Sequence, residues 1–198
     1  LGKRERKQKK KLHKYTVINP RGFRPGSVHQ DVFFAAIPSI LKEMPDVRFL
    51  CPAMAEQVQA EKWVHALGIA NQVSLLPYLA QSELWNLFQT SDIYLSLSSH
   101  DGTPNTFLEA LACGCFPIVG DILSLREWIE NGKNGFLVNP KDEKEVAQAV
   151  VRALQDEKMR EEAQQINWKI VSERADRKIV QKRVKDFYYH LLLSTGMN

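Results

Sequence analysis

The residues best suited to chemistry lie in one segment, 98–114, which reads S-S-H-D-G-T-P-N-T-F-L-E-A-L-A-C-G. Its Gly and Pro predict a loop, and the apolar positions that follow predict a helix starting near residue 105. The first backbone N–H groups of a helix, together with the helix dipole, form a site for a phosphate or diphosphate. One turn further on, Glu109 can accept hydrogen bonds from the two vicinal hydroxyls of a ribose, and Asp101 can do the same for a sugar hydroxyl.

The same residues also fit a purely structural interpretation. Pro104 belongs to the residue type preferred at the start of a helix, and an Asp such as Asp101 commonly stabilises a turn. Glu109 can simply be solvated. Physical chemistry alone therefore does not decide between a ligand site and a well-formed helix start.

A second loop rich in Gly, Pro and Arg follows the first apolar segment and reads N-P-R-G-F-R-P-G over residues 19–26. Arg21 and Arg24 in this loop can bring guanidinium groups to a diphosphate, because the planar guanidinium pairs with two phosphate oxygens at once. A loop whose arginines are only solvated is the alternative.

The elements that must position these loops alternate regularly along the chain. Six short segments dense in Val, Ile, Leu, Phe or Tyr predict buried parallel strands: 15–19, 47–51, 73–76, 93–97, 116–119 and 136–138. Amphipathic stretches predict helices at 30–42, 54–67, 81–89, 105–113, 124–131 and 143–155, with a kink or early end at Pro38. The pattern predicts a doubly wound α/β fold, a six-stranded parallel Rossmann-like sheet followed by a helical tail from residue 159. Ligands of such sheets bind beyond the carboxyl ends of the strands, where both loops fall.

Charge and composition narrow the classes of partner. Residues 1–14 carry eight Lys or Arg and one Glu, whereas the rest of the 198-residue chain is mildly acidic. The basic stretch is typical of a solvated linker and permits peripheral contact with anionic lipid. Because it lacks interleaved aromatic residues and the body has no second basic cluster, nucleic acid is not an expected partner. No apolar run approaches the roughly 20 residues of a membrane-spanning helix.

The cysteines and histidines do not predict a metal or redox site. Cys51, Cys113 and Cys115 lack the spacing of a zinc site or a disulfide framework, so we expect them in the core of a protein from a reducing cytosol. The five histidines are scattered through the sequence without metal-ligand spacing. We therefore expect neither a metal nor a cofactor.

The 98–114 segment resembles the E-x(7)-E motif of the retaining group 1 glycosyltransferases, whose usual form is E-G-F-P-x-x-x-x-E-A-x-A-x-G. Here the motif reads D-G-T-P-N-T-F-L-E-A-L-A-C-G, with an Asp in the first acidic position and Thr103 in place of Phe. Downstream, Leu123 and Ser124 stand where the family commonly has paired glycines. The resemblance extends from about residue 15 to residue 190.

The resemblance implies roles for individual residues. Glu109 would bind the nucleotide ribose, and Asp101 with its neighbour Gly102 would bind the donor sugar. Arg21 matches the family's phosphate-binding Arg, and Arg24 is a candidate substitute for a Lys that the family usually has nearby. Asp101, Glu109 and Arg21 would form the catalytic set. The diphosphate would be bound by the backbone amides of Asn105, Thr106 and Phe107.

The resemblance also implies a base site and a domain organisation. The nucleobase would be read by the backbone after the third strand, at Leu76, with Tyr78 placed to stack on it, although an aromatic residue at a strand end also commonly packs in the core. In the GT-B fold of this family, residues 1–14 would be an interdomain linker and 15–158 the nucleotide-sugar donor domain. Residues 159–198 would form a helical tail that packs towards an N-terminal domain absent from this chain.

The function implied is transfer of a sugar from a nucleotide diphosphate sugar to an unspecified acceptor with retention of configuration, a metal-independent hexosyltransferase activity. The partners would be the nucleotide-sugar donor and the N-terminal domain. The protein would be located in the cytoplasm, including the inner face of the membrane. We expect this chain alone to bind a donor nucleotide better than it catalyses transfer. Two alternatives stay open. One is a nucleotide-sugar epimerase or a phosphorylase-like enzyme of the same architecture, and the other is a non-catalytic scaffold whose altered motif no longer binds donor.

Overall fold

The computed structural model describes residues 14–195, with side chains described up to residue 191. Apart from Lys14, the predicted basic linker lies outside the described residues. The strands are β1 (Tyr15–Ile18), β2 (Val47–Cys51), β3 (Val73–Leu75), β4 (Ile93–Ser96), β5 (Phe116–Gly120) and β6 (Phe136–Val138). The helices are α1 (Gln30–Glu43), α2 (Val58–Ala66), α3 (Gln81–Thr90), α4 (Asn105–Ala112), α5 (Leu123–Arg126), α6 (Glu143–Gln155), α7 (Glu157–Arg174) and α8 (Arg177–Thr195).

The strands form one parallel sheet in the order β3-β2-β1-β4-β5-β6. The predicted six-stranded doubly wound α/β fold is therefore confirmed. β1 and β4 are neighbours although β2 and β3 lie between them in the sequence, so the strand order reverses at this pair. In open α/β sheets, ligands bind in the crevice outside the carboxyl ends of the strands at such a reversal.

Helices cover both faces of the sheet, which explains why the central strands are apolar without alternation. β4 and β5 are buried at every position. On one face α1 and α6 pack through a cluster that includes Phe33 and Val150. On the other face α3 and α4 pack through a second cluster that includes Phe88 and Phe107. The loops at the carboxyl edge are thus mounted on a rigid centre.

The main departures from the predicted helices are in α1, α2 and α5, and the ends of α3 and α4 differ by one residue. Pro38 does not end α1, which continues to Glu43, and the proline lies on the exposed side of the helix. α2 begins at Val58 rather than near residue 54, since Ala53 and Glu56 have positive φ angles of 60° and 64° that a right-handed helix excludes. α5 is a short helix of four residues, after which the chain turns towards β6.

The C-terminal tail has two parts with different surroundings. α7 packs within this domain against α4 and α6, and it buries Ala163, Asn167 and Val171. α8 is exposed along most of its length, including its apolar residues Val184 and Phe187. No helix among the described residues is long and apolar enough to cross a membrane.

Candidate functional site

The loops after β1 and β4 meet at the reversal of strand order. The backbone N–H of His29 donates to the carbonyl of Leu97 at 2.9 Å, and that of Ser99 donates to the carbonyl of Ser27 at 3.0 Å. These bonds hold the two loops together over the carboxyl ends of the central strands. The sheet topology therefore brings together two of the segments selected from the sequence.

An ion pair joins these loops, because the guanidinium of Arg21 donates to the carboxylate of Asp101. The Arg21 side chain is 9% exposed and the Asp101 side chain 27%. The Nε of Arg21 is buried and has no hydrogen-bond partner among the described residues. The site thus contains a nearly buried cation that is only partly satisfied by protein groups, an arrangement suited to an anionic ligand.

A buried amide network fixes the backbone around Arg21. Its N–H donates to Asn19 Oδ1 at 3.3 Å, and Asn19 Nδ2 donates to Gln30 Oε1 at 2.6 Å. Gln30 Nε2 in turn donates to the carbonyl of Gly22 at 2.6 Å. Asn19 and Gln30 are both buried, so this network ties the loop to the first turn of α1. Arg21 is consequently held in place before any ligand arrives.

The start of α4 leaves amide groups open beside this pair. The N–H groups of Asn105 and Thr106 donate no hydrogen bond within the described part of the chain. Phe107 differs, because its N–H donates to the carbonyl of Pro104 at 3.1 Å and its side chain is buried in the core. Of the three predicted amide donors, the structure therefore leaves two free and engages the third.

A buried phenol lies beneath the ion pair. Burial raises the pKa of Tyr94, and the nearby positive charge of Arg21 and a hydrogen bond with Thr106 oppose that rise without cancelling it. The Tyr94 hydroxyl is 3.3 Å from Thr106 Oγ1 in the first turn of α4. Tyr94 therefore remains a neutral phenol at neutral pH and supports the site as a hydrogen-bonding group, not as a base.

Glu109 lies one turn inside α4, half-buried, and has a partner that the sequence did not reveal. Gln81 Nε2, at the start of α3, donates to Glu109 Oε1 at 2.6 Å. The second carboxylate oxygen of Glu109 has no hydrogen-bond partner among the described residues. Glu109 can thus accept further hydrogen bonds while Gln81 keeps it oriented.

The structure does not support the predicted role of Leu76. Its N–H donates to the carbonyl of Cys51 at 3.0 Å, and its carbonyl accepts from Met54 and Ala55 at 3.0 and 2.9 Å. Because both backbone groups are engaged in closing the turn before α2, they are not available to a base. Tyr78 is 88% exposed, so its side chain is free to stack and does not pack in the core.

Arg24 lies apart from the Arg21 and Asp101 pair. It lines a separate cavity of about 300 Å³ with Phe23, His29 and Trp63. Its carbonyl accepts hydrogen bonds that close a turn at residues 24–28, and within the described part of the chain its side chain makes no ion pair with Asp101. The structure thus assigns Arg21, but not Arg24, to the cluster at the strand reversal. Among the described residues no group of three or more His, Cys, Asp or Glu is placed to hold a metal ion.

The sequence matches a family model described as "Glycosyl transferases group 1" over residues 3–169. It is 35% identical over 81 residues to an N,N'-diacetylbacillosaminyl-diphospho-undecaprenol alpha-1,3-N-acetylgalactosaminyltransferase of Campylobacter jejuni, an alignment that covers 41% of this chain and 22% of that protein.

Solved structures share the fold at lower identity. The pneumococcal O-GlcNAc transferase GtfA, in complex with UDP and GlcNAc, superposes with a TM-score of 0.79 and 20% identity over 96% of this chain and 38% of its own. Anabaena HepE in complex with UDP-glucose superposes with a TM-score of 0.78 and 19% identity over 89% of this chain and 49% of its own. The chain thus spans less than half the length of each of these proteins.

Proposed function

Because the chain belongs to the group 1 glycosyltransferases, we propose that it binds a nucleotide diphosphate sugar where β1 and β4 meet and, within a longer protein, transfers the sugar with retention of configuration. The observation that carries this proposal is the nearly buried Arg21, paired with Asp101 and with an unpartnered Nε, beside the two open amides of α4. This cluster combines a cation, a helix start and a carboxylate at one edge of the sheet. A solved neighbour of the same fold, HepE, was crystallised with UDP-glucose, which is consistent with a donor of this class.

The chemistry of donor cleavage explains why these groups belong together. Breaking the bond between the sugar and the diphosphate leaves negative charge on the departing phosphate. Arg21 and the amides of Asn105 and Thr106 stabilise that charge in our proposal, in a site that needs no metal ion. Since they are preorganised by the sheet and the Asn19 network, little reorganisation is required when the charge develops.

The remaining groups bind the other parts of the donor. Asp101 and the adjacent Gly102 contact the sugar, and Glu109 accepts hydrogen bonds from the ribose hydroxyls with Gln81 orienting its carboxylate. Tyr78, being exposed, stacks on the nucleobase. UDP is the first nucleotide to test, because GtfA was solved in complex with UDP and GlcNAc and HepE in complex with UDP-glucose.

We propose that the rest of the active site comes from another domain. Four exposed apolar residues of α8, spaced four, three and four positions apart, fall on one face of the helix: Val180, Val184, Phe187 and Leu191. A stripe of this kind is suited to packing on a second domain that holds the acceptor. Residues 1–14 would then connect the two domains, and full transfer activity would require both.

The proposal is tested by calorimetric titration of the chain with UDP, GDP and ADP, with and without magnesium. We expect one nucleotide to bind equally well with and without magnesium, and Glu109→Ala to weaken that binding at least tenfold, since a carboxylate hydrogen bond contributes about 1.5 to 3 kcal/mol. Glu143→Ala is the matched control, because Glu143 is an exposed carboxylate in the first turn of α6.

Two results would contradict the proposal. If Glu109→Ala bound nucleotide as tightly as the unsubstituted chain, Glu109 would not bind the ribose. No binding of any nucleotide, by this chain and by the protein with its second domain, would favour the non-catalytic scaffold.

A further inference from the structure

The loop that carries Asp101 is fastened to the segment after β5 by two side-chain hydrogen bonds. Ser124 Oγ donates to the carbonyl of Asp101 at 2.9 Å, and Trp128 Nε1 donates to Thr103 Oγ1 at 3.1 Å. Gly102, which lies between the two attachment points, is exposed, and a Cβ on it would meet nothing within 4 Å. Gly102 is therefore open towards solvent, while these two bonds hold the loop on the side of β5 and the ion pair with Arg21 holds Asp101 on the side of β1.

Trp128 is itself held in place by groups from two other parts of the chain. The guanidinium of Arg174, at the end of α7, stacks over its ring at 4.1 Å and donates to the carbonyl of Glu127 at 2.6 Å. The carbonyl of Trp128 accepts from Asn134 Nδ2 at 2.9 Å. Asn134 also pairs with Asn167 of α7, and both amides are buried. The indole N–H is thus presented to Thr103 from an anchored ring.

We infer that Trp128 is a positioning residue for the donor sugar: its hydrogen bond to Thr103 holds the 101–104 loop so that Asp101 faces the sugar while the start of α4 faces the diphosphate. This inference rests on the proposed function. A loop that contains an unsupported Gly102 samples many conformations unless side chains restrain it. Both attachments are made by residues at which the chain departs from the family's usual motif, Thr103 and Ser124.

The diphosphate and the sugar of the donor are bound by different parts of the site, so a positioning role for Trp128 can be told apart from a general structural role. The amides that bind the diphosphate belong to α4, which is anchored in the core by the buried Phe107 and Leu111. The ring of Trp128 packs against the same cluster, so a substitution that keeps an aromatic ring leaves this anchor in place and removes only the indole N–H. The carboxylate that binds the sugar belongs to the fastened loop. Loss of the Trp128 hydrogen bond should therefore weaken the binding of a donor that carries its sugar more than it weakens the binding of UDP.

The experiment measures the affinities of UDP and UDP-glucose, and amide hydrogen exchange across residues 98–104, in Trp128→Phe and Thr103→Val. Phe retains the aromatic ring for Arg174 but removes the indole donor. We expect each change to weaken the binding of UDP-glucose about fivefold, equivalent to about 1 kcal/mol for one hydrogen bond. The affinity for UDP should change less than twofold. The double variant should bind UDP-glucose no more weakly than either single variant does. Thr103→Ser, which keeps the accepting hydroxyl, should bind UDP-glucose as the unsubstituted chain does.

Trp63→Phe is the matched control, because Trp63 packs against Phe23 and Phe34 on the opposite side of the sheet. Exchange in residues 98–104 should accelerate in Trp128→Phe and stay unchanged in Trp63→Phe. Unchanged exchange, or equal weakening of UDP and UDP-glucose, overturns the inference. Failure of the unsubstituted chain to bind UDP would instead count against the proposed function, and the exchange result would still decide the role of Trp128.

Discussion

The ion pair between Arg21 and Asp101 leads to a prediction about competition within the site. In our proposal Arg21 binds the donor diphosphate, yet in the free chain its guanidinium is engaged by Asp101. The diphosphate must therefore displace or share the contact that Asp101 makes. Asp101→Asn removes the negative charge with little change in shape. The variant therefore shows how much binding free energy the diphosphate spends on breaking the ion pair between Arg21 and Asp101.

The size of the effect follows from the burial of the pair. Exposed ion pairs contribute about 0 to 1 kcal/mol, whereas removing one partner of a fully buried pair costs about 3 to 5 kcal/mol. With Arg21 9% exposed and Asp101 27% exposed, this pair lies between those limits. We expect Asp101→Asn to lower the free energy of unfolding by about 2 kcal/mol, or the Tm by about 4 to 8 °C for a domain of this size.

A saturating diphosphate should reverse this loss, because its oxygens supply the negative charge that Arg21 lacks in the variant. We expect UDP to bind Asp101→Asn about tenfold more tightly than it binds the unsubstituted chain, a gain of about 1.4 kcal/mol. It should also raise the Tm of the variant by more than it raises that of the unsubstituted chain. The rate of sugar transfer by the complete enzyme should fall, since the variant lacks the carboxylate that contacts the donor sugar.

Calorimetry with UDP and thermal melting with and without UDP measure these quantities. Asp121→Asn is the matched control, because Asp121 also pairs with an arginine, Arg126, but on the surface. It should leave UDP affinity unchanged. If UDP binds Asp101→Asn no more tightly than the unsubstituted chain, Arg21 does not exchange one anion for another and the reasoning is wrong.

Three further predictions concern the scaffold of the site. Gly120→Ala should lower the free energy of unfolding by at least about 2 kcal/mol in denaturant titrations, because its Cβ would lie 2.1 Å from the Ser98 carbonyl, whereas Gly102→Ala should leave stability unchanged. Burial raises the pKa of the Cys51 thiol far above its ordinary value, and Cys113 and Cys115 are also buried, so a thiol reagent should label none of them until the chain unfolds; rapid labelling of the native chain would contradict this. A hydrogen bond from Arg126 holds the pKa of Asp121 below its ordinary value near 3.8, and a carboxyl with a lower pKa in the folded state stabilises the fold above its unfolded pKa. The Tm difference between the unsubstituted chain and Arg126→Gln should therefore be present near neutral pH and shrink as the pH falls below about 3.8; a difference independent of pH would refute it.

The sequence was sufficient to predict the fold because each buried parallel strand is a local apolar run bounded by loops. Errors arose where long-range bonds override local pattern. The amphipathic stretch from residue 54 predicted a helix start there, but the amides of Met54 and Ala55 donate to Leu76 and hold the chain out of the helix until Val58. The same bonds occupy the carbonyl that was predicted to read a base.

In the site, the sequence indicated the groups but not their partners. Arg21, Asp101 and Glu109 were recognisable because each lies in a loop or helix start with a local pattern. Their neighbours were not, since Gln81 is 28 residues from Glu109 and Trp128 is 25 residues from Thr103 along the chain. Such pairs become visible only when the strand order is known.

The strand order also explains why departures from the family motif need not abolish a donor site. Arg21 and Asp101 are 80 residues apart in sequence, and they meet because β4 pairs with β1. An Asp at this position lacks one methylene of the usual Glu, and the pair with Arg21 fixes where the shorter side chain points. Thr103 and Ser124, which replace apolar and small residues, supply the oxygen atoms that fasten the same loop. The altered positions thus form one connected group, so the effect of each on donor binding depends on the others and should be judged by double-mutant cycles, not by comparison with the motif alone.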